Sequence, residues 1–495
     1  MIQTLFKNIT KGREVRKNLI ELRKEIKDPL ANRILFYELE GDYTVLYRLL
    51  EDEDPKVRKN VALIMGELGV EAFLEKLYTA YEKEEKLFVK ADYLTAISYM
   101  NYDVLAEALK ARLHTLTTLP IEENSAKHIN EEIRLLSSMC IKLEKPKMHR
   151  FTGHTEQSDI ILLTNRNHQE ATLNEIESSQ AKIFNAGVLV RTSDLNQILK
   201  IRTYSEILFK LPKAGKISMH PQEAAREIFE SGVLEFMNAR HEGWAPYYFR
   251  LELKTRMPLD KKSIFAKKMA SELEKVSNRQ LINSTSNYEF EIRLIENKEG
   301  YFNLLLKLYT LKDTRFTYRK YAVAASIAPD DAALMVTLAK PYMMPDAQVL
   351  DPFCGVGTML IEREKQKESA VMYGIDLFGE AIDGAIANSE IAEVDSYFIN
   401  RDFFGFTHKY KFDEIFTNMP ARGGRKTEAD MEKLYADFFK KALEVLNEEA
   451  VVILYTRDQQ EVFKGIETHE QYTLEATFEI SKKEGAYLYI LKVRQ

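Results

Sequence analysis

Apolar positions in the first third of the chain recur at intervals of three and four, as in Leu19, Leu22 and Ile26 and again in Val61, Ile64, Met65 and Leu68. That period turns one side of each segment inward and predicts helices alone up to about residue 145. Beyond it the pattern is mixed. Apolar strands at Ile160–Thr164 (IILLT), Gly187–Thr192 (GVLVRT) and Ile207–Leu211 (ILFKL) alternate with helical runs up to residue 244. From Ala245 follow the strand YYFRLELKT, a helix from Lys261 to Lys275, and the strands YEFEIRLIE and YFNLLLKLYTL.

From about Ala347 the rhythm becomes regular: QVLDPF, a helix from Thr358, AVMYGID, a helix from Phe378, SYFIN, FDEIFTNMP, a helix from Glu428, AVVILYT and a helix from Gln459. Apolar strands separated by amphipathic helices predict a mainly parallel, doubly wound sheet covered on both faces. The last two strands, TFEI and AYLYILKV, are separated only by SKKEG, too short for a crossover helix. They are expected as an antiparallel hairpin at one edge of a seven-stranded sheet.

Within the helical stretch, DPLANRILFYEL from Asp28, DPKVRKNVALIMGEL from Asp54 and EEKLFVKADYLTAI from Glu84 set an acid or proline before similar helical patterns. They resemble degenerate HEAT-like pairs, which stack because one pair cannot bury its apolar face alone. An irregular helical bundle fits the same residues. The expected organisation is a multi-domain chain: a helical HEAT-like domain over 1–145 offering a surface to a protein partner, an α+β middle in two modules over 146–244 and 245–317, and a Rossmann-like α/β domain over 318–495.

Composition narrows the classes. The hydrophobic fraction of 45% and charged fraction of 29% are those of a soluble globular chain. Cys140 and Cys354 are the only cysteines, which gives no disulfide framework and no metal cluster and fits a reducing, cytoplasmic setting. The charged N-terminal stretch lacks an apolar signal core and no long apolar run occurs, so neither export nor a membrane span is expected. The net charge is -6, yet Arg250 to Lys320 holds 16 Lys and Arg against 9 Asp and Glu. A basic middle of that kind suits a polyanion.

Candidate chemistry lies at the strand ends of the last domain. Asp351 closes the first strand, and Phe353, Gly355, Gly357 and Thr358 lead into the following helix. Glycines there let a cofactor approach the backbone. The third glycine of a dinucleotide motif is missing, with Leu360 in its place, and an acid on the strand tip repels a pyrophosphate but suits an ammonium. Asp376, with Leu377 beside it, ends the second strand, where an acid accepts both ribose hydroxyls of an adenosine. Asp402, with Phe403, follows the third strand and suits an adenine amino group. Singly, each acid is equally a helix cap; the ordered set points to a nucleoside cofactor. Asn418, Met419 and Pro420 end the fourth strand. An aromatic amine is a weak nucleophile that must be oriented by hydrogen-bond acceptors. The Asn418 side chain and the Met419 carbonyl supply them, and Pro420 stiffens the turn.

Taken together, DPFCGVGT, GIDLFGEAI, NRDF and NMPA, with RKYAVAASIAPDDAALMVTLA upstream, resemble the class I S-adenosylmethionine-dependent methyltransferases with THUMP domains that modify guanine at its 2-amino group in tRNA and rRNA. The resemblance covers roughly residues 150–495. It implies S-adenosyl-L-methionine as cofactor, with Asp351, Gly355 and Gly357 at its methionine end, Asp376 at the ribose and Asp402 at the adenine. It further implies the target base at Asn418 to Pro420, a ferredoxin-like module near 150–240 and a THUMP module near 245–317 holding RNA. One departure stands out: the family places Tyr or Phe after the proline, stacked on the flipped base, and this chain has Ala421. Phe353, Phe403 and Phe404 are candidate substitutes. Lys254, Lys261, Lys262, Arg315, Arg319, Arg422, Arg425 and Lys426 are the expected phosphate contacts. Two other readings use the same residues: a DNA amino-methyltransferase, and a catalytically weak RNA-binding or assembly protein.

Overall fold

The computed structural model describes residues 2–118, 125–144, 148–177, 180–323, 326–422 and 427–495. It divides into two compact units, Met1–Lys147 and Met148–Gln495.

The first unit is helical: α1 (Ile2–Thr10), α2 (Val15–Glu25), α3 (Pro29–Glu38), α4 (Thr44–Leu50), α5 (Pro55–Leu68), α6 (Phe73–Lys83), α7 (Leu87–Ile97), α8 (Ala106–Thr118) and α9 (Ala126–Glu144). The two Asp-Pro steps act as start signals. Asp28 and Asp54 accept hydrogen bonds from the first-turn amides of α3 and α5, each with proline at the first helical position. The third segment behaves differently, since Glu84 caps no helix in this way but forms a buried pair with Arg58 at 2.7 Å. Gly66 lets α5 cross close to α7, where a Cβ would lie 2.7 Å from the Ala96 Cα.

The second unit opens with β1 (Arg150–Phe151), β2 (Ser158–Thr164), α10 (Gln169–Leu173), β3 (Ala181–Phe184), β4 (Gly187–Thr192), α11 (Leu195–Ile198), β5 (Tyr204–Lys210), α12 (Pro221–Glu230), α13 (Val233–Arg240) and β6 (His241–Glu242). It continues with β7 (Tyr247–Lys254), α14 (Leu259–Val276), β8 (Leu281–Asn283), β9 (Phe290–Glu296) and β10 (Phe302–Leu308). One sheet of order β3-β4-β2-β5-β10-β9-β7-β8 runs without a break across the boundary expected at 244/245, because β10 pairs with β5. Alternation along the strands sends Ile160, Leu162, Phe209, Phe249, Ile292 and Leu306 into a core under α12, α13 and α14. On alternate positions of β5, β7, β9 and β10, charges pair laterally. Arg293 reaches Glu206 at 2.5 Å and Glu291 at 2.7 Å, Lys307 reaches Glu206 at 2.6 Å, and Arg250 reaches Glu291 at 2.5 Å.

The remaining elements are α15 (Pro329–Ala339), β11 (Gln348–Asp351), α16 (Thr358–Gln366), β12 (Val371–Asp376), α17 (Gly379–Ala392), β13 (Tyr397–Asn400), β14 (Phe412–Asn418), α18 (Glu428–Val445), β15 (Leu446–Thr456), α19 (Gln459–Thr468), β16 (Tyr472–Ser481) and β17 (Ala486–Arg494). They form a seven-stranded sheet of order β13-β12-β11-β14-β15-β17-β16, parallel up to β15 and closed by the antiparallel β16–β17 hairpin. Helices α18 and α19 cover one face and α15, α16 and α17 the other. Strand order reverses between β11 and β14, which opens a crevice at their carboxyl ends. Among the described residues, no helix is long and apolar enough to cross a membrane.

Two buried charges tie this sheet to its surroundings. Glu362 of α16 accepts hydrogen bonds from Arg202 at 2.7 and 2.8 Å and from the Tyr318 hydroxyl at 2.7 Å. Its neighbour Arg363, wholly buried, pairs with Glu414 of β14 at 3.1 and 3.2 Å. Farther out, Asn165 and His168 hold the carbonyls of Ile480 and Glu479 at 2.8 and 2.9 Å. Removing one partner of a buried pair strands the other charge, so Arg202→Met should cost ~3–5 kcal/mol. Chemical denaturation should show the lowered midpoint, with the exposed Asn167→Ala close to wild type; an Arg202→Met protein as stable as wild type would show that the pair adds nothing to the fold.

Candidate active site

The crevice is built by backbone before side chains. After Asp351 the chain turns so that Gly355 and Gly357 adopt φ of +52° and +80°, a left-handed geometry that costs glycine little. The turn brings the Gly355 amide 2.9 Å from Asp376 Oδ2, while the Phe378 amide donates to Oδ1 at 2.9 Å. The tips of β11 and β12 are thereby joined through the Asp376 carboxylate, and each of its oxygens keeps a lone pair for a ligand hydroxyl.

Asp351 is only 1% exposed. Its Oδ1 accepts from the Thr417 hydroxyl at 2.6 Å and from the Phe353 amide at 3.1 Å, and its Oδ2 is buried without a partner among the described residues. Burial pushes this carboxyl up to about 7; the two hydrogen bonds oppose the rise and the nearby Asp376 charge adds to it. The Thr358 hydroxyl, at the first position of α16, is likewise buried without a partner. Two orphaned polar atoms beside a glycine turn fit a ligand that brings a cation and an acceptor to this spot.

The adjoining strand ends complete the crevice. Leu377 and Phe378 are 64% and 70% exposed, large apolar side chains left open directly after the Asp376 acid. Asp402 is exposed and caps a short 3₁₀ turn through the Phe404 amide at 3.1 Å. Asn418 ends β14 beside Tyr455 of β15, and the Met419 amide is anchored on the Tyr455 carbonyl at 2.9 Å. The Met419 side chain is buried in the core, which pins the turn, and Pro420 is half-buried. The Asn418 side chain makes no hydrogen bond among the described residues.

Several expected residues stand elsewhere. Arg315 is not a phosphate contact: it is buried, with its donors spent on the Ile201 and Tyr204 carbonyls at 2.9 Å and on Asp313, and its guanidinium stacked 3.6 Å from the Tyr204 ring centre. Phe403 is also buried, packed edge-on against Phe353, so its ring is unable to stack on a base. Phe353 and Phe404 are half-buried beside it. Lys254 is paired with Glu252 at 2.8 Å, and exposed Arg422 lies 3.8 Å from Glu428. Lys261 is exposed and Lys262 half-buried on the first turns of α14. Arg319 has its Nε buried without a partner. Arg425 and Lys426 lie outside the described residues.

Residues that sequence reasoning passed over also shape the site. Thr417 holds Asp351, and buried Asn388 of α17 accepts from the Lys320 and Tyr321 amides at 3.0 Å and donates to the Tyr321 and Val356 carbonyls. That clamp fixes the chain segment entering the domain against the glycine turn. An asparagine within the apolar helix pattern IANSEIA was the available signal.

Residues 317–479 match the family described as UPF0020: RMKL-like, methyltransferase domain. No curated protein matches the chain by sequence. Among solved structures, TrmN from Thermus thermophilus is 16% identical, with 68% of this chain and 99% of that one covered and a TM-score of 0.51. SMU.472, a putative methyltransferase complexed with SAH, is 14% identical over 68% and 98% of the two chains, with a TM-score of 0.50. These likenesses place the second unit in the same fold, and residues 317–479 carry the sequence pattern described for RMKL-like methyltransferase domains.

Proposed function

We propose that the chain transfers the methyl group of S-adenosyl-L-methionine to an exocyclic amino group of a base in structured RNA, with the 2-amino group of guanine as target. The observation that carries this reading is the pairing, across β11 and β14, of a buried carboxyl with an orphaned oxygen and an asparagine turn with free acceptors. Support for RNA comes from the motif resemblance, and the likeness to TrmN, over 68% of this chain, extends beyond residues 317–479.

The geometry supports the following roles. Asp351 would hold the α-ammonium of the cofactor, with the Thr358 hydroxyl beside the same glycine turn. Asp376 accepts from the ribose hydroxyls, Leu377 and Phe378 offer apolar surface to the adenine, and Asp402 accepts from its amino group. The bound cofactor supplies an electrophilic methyl on sulfur. The Asn418 Oδ1 and the Met419 carbonyl each accept one hydrogen of the target amine, which turns its lone pair toward that carbon. Held this way, the amine would take the methyl group as its bond to the cofactor sulfur breaks, and would then release a proton to solvent. With Ala421 after the proline, base capture relies on the half-buried Phe353 or Phe404. Lys261, Lys262 and Arg319 are the expected phosphate contacts that remain open to a ligand. Seven of the sixteen cations between Arg250 and Lys320 are already ion-paired.

A carboxyl held near 7 makes cofactor binding depend on pH. An unfolded aspartate ionises near 4, so the unliganded fold loses stability as the pH rises from about 4 through 7 and the buried group ionises. An ammonium ligand favours the ionised form. Affinity for S-adenosylhomocysteine should therefore rise about tenfold from pH 6 to pH 8 and level off above it, while 5′-methylthioadenosine, which has no amino-acid part, shows no slope. Calorimetry across this range checks it, and a slope that persists in Asp351→Asn would assign the titration to another group.

Asn418→Ala should lower turnover by roughly 10²–10³ with cofactor affinity unchanged, because the lost acceptor acts on the amine as it gains positive charge. Asn418→Asp still accepts hydrogen bonds and should retain part of the activity. Transfer of a tritiated methyl group should label RNA and not duplex DNA. Full activity in Asn418→Ala, or label confined to DNA, would overturn the proposal.

A further inference from the structure

The helical unit holds 24 Lys and Arg against 25 Asp and Glu over residues 1–147, yet these charges are segregated. From Lys7 to Lys27 there are eight cations and three glutamates. Three of these cations, Arg16, Arg23 and Lys24, line one groove of about 380 Å³ between α2, the start of α5 and the start of α7, where Lys56 and Lys59 join them; its volume is within the size range of ligand clefts. Its floor is apolar, made by half-exposed Ile20 and the Phe88 ring, which lies 6.3 Å from His128. Its walls are Arg16, Arg23, Lys56 and Lys59, with Lys24 at the rim.

The cations of the groove are only partly neutralised. Arg23 and Lys56 have no carboxylate within 4 Å among the described residues, and Arg16 has only Asp54 at 3.8 Å. Lys59 is paired with Asp92 at 3.0 Å and Lys24 with Glu21 at 2.9 Å. Arg23 is also held in place. Buried Asn60 donates to the Lys56 carbonyl at 2.6 Å and accepts from the Arg23 guanidinium at 3.1 Å, so a helix interior positions a surface cation. Fixed guanidinium and ammonium groups over an exposed aromatic floor match a polynucleotide strand, with phosphates on the walls and a base against Phe88.

We propose that this groove is a second RNA-binding site, on the unit that does not carry the methyl-transfer chemistry, taking a single-stranded segment of RNA. It rests on the reading above for the identity of the strand as RNA; its test is a binding measurement independent of catalysis.

The full chain would be titrated with a short fluorescent single-stranded oligoribonucleotide at several salt concentrations. In the double variant Arg23→Glu, Lys56→Glu the affinity should fall at least about tenfold, and the slope of log affinity against log salt should shrink by about 1–2. S-adenosylhomocysteine affinity and turnover at saturating RNA should stay at wild-type values. The milder Arg23→Gln, Lys56→Gln pair, with an unchanged circular dichroism spectrum, should show the same direction of change. Wild-type affinity and slope in both variants would overturn the proposal, as would a groove that binds an acidic polypeptide and loses it in these variants while RNA binding stays intact. A wild-type chain that transfers no methyl group, but whose RNA binding is still lost in the variants, would fault the enzymatic reading and support this one.

Discussion

Glu362 and Arg363, neighbours on α16, are buried in ion pairs that point in different directions, and the site depends on them. Arg363 pins the helix to β14, the strand that ends in Asn418, and Glu362 pins it to Arg202 of the middle region and to Tyr318 of the entering segment. The first turn of α16 carries the glycine loop. Its position relative to the Asn418 turn is therefore set by charges that are costly to leave unpaired in a low-dielectric interior. The Thr417 hydroxyl on the Asp351 carboxyl makes the same link at the strand tips, across the point where strand order reverses. A crevice held this way has its backbone positioned before any ligand arrives.

What was legible in the sequence was local. The strand ends DPF, GID, NRDF and NMP, and the short SKKEG connection that forces a hairpin, carry their structural meaning within a few residues, and β11, β12, β14 and the β16–β17 edge stand where the pattern put them. What depended on partners far along the chain was not legible. The middle region is one sheet because β10 pairs with β5, nearly a hundred residues earlier, and no periodicity encodes that pairing. The same distance hid the fate of Arg315, whose acceptors are the Ile201 and Tyr204 carbonyls, and of Arg293 and Lys307, neutralised by Glu206. A basic count treats such residues as open charge. Phe403 failed as a stacking residue for a related reason, because an aromatic beside a site motif looks alike whether it faces the crevice or the core.

The distribution of open charge after folding differs from that of the sequence. Within the Arg250 to Lys320 segment the cations without ion-pair partners among the described residues include Lys261, Lys262, Lys267 and Lys268, all on α14, while the sheet spends its arginines on lateral pairs. In the helical unit, near neutrality overall conceals a groove where Asn60 holds Arg23 in place. On the reading proposed above, phosphate contacts of both kinds would orient an RNA without reading its sequence, which leaves selection of the nucleotide to the crevice between β11 and β14.

The central claim is that this crevice methylates an exocyclic amine. Its most direct test is nucleoside mass spectrometry of RNA incubated with the protein and S-adenosylmethionine deuterated at the methyl group. The account predicts a single deuterated methyl on the base, retained on the 2-nitrogen of guanosine and absent when Asn418 is replaced by Ala. A methyl on the ribose or on a ring carbon would contradict it.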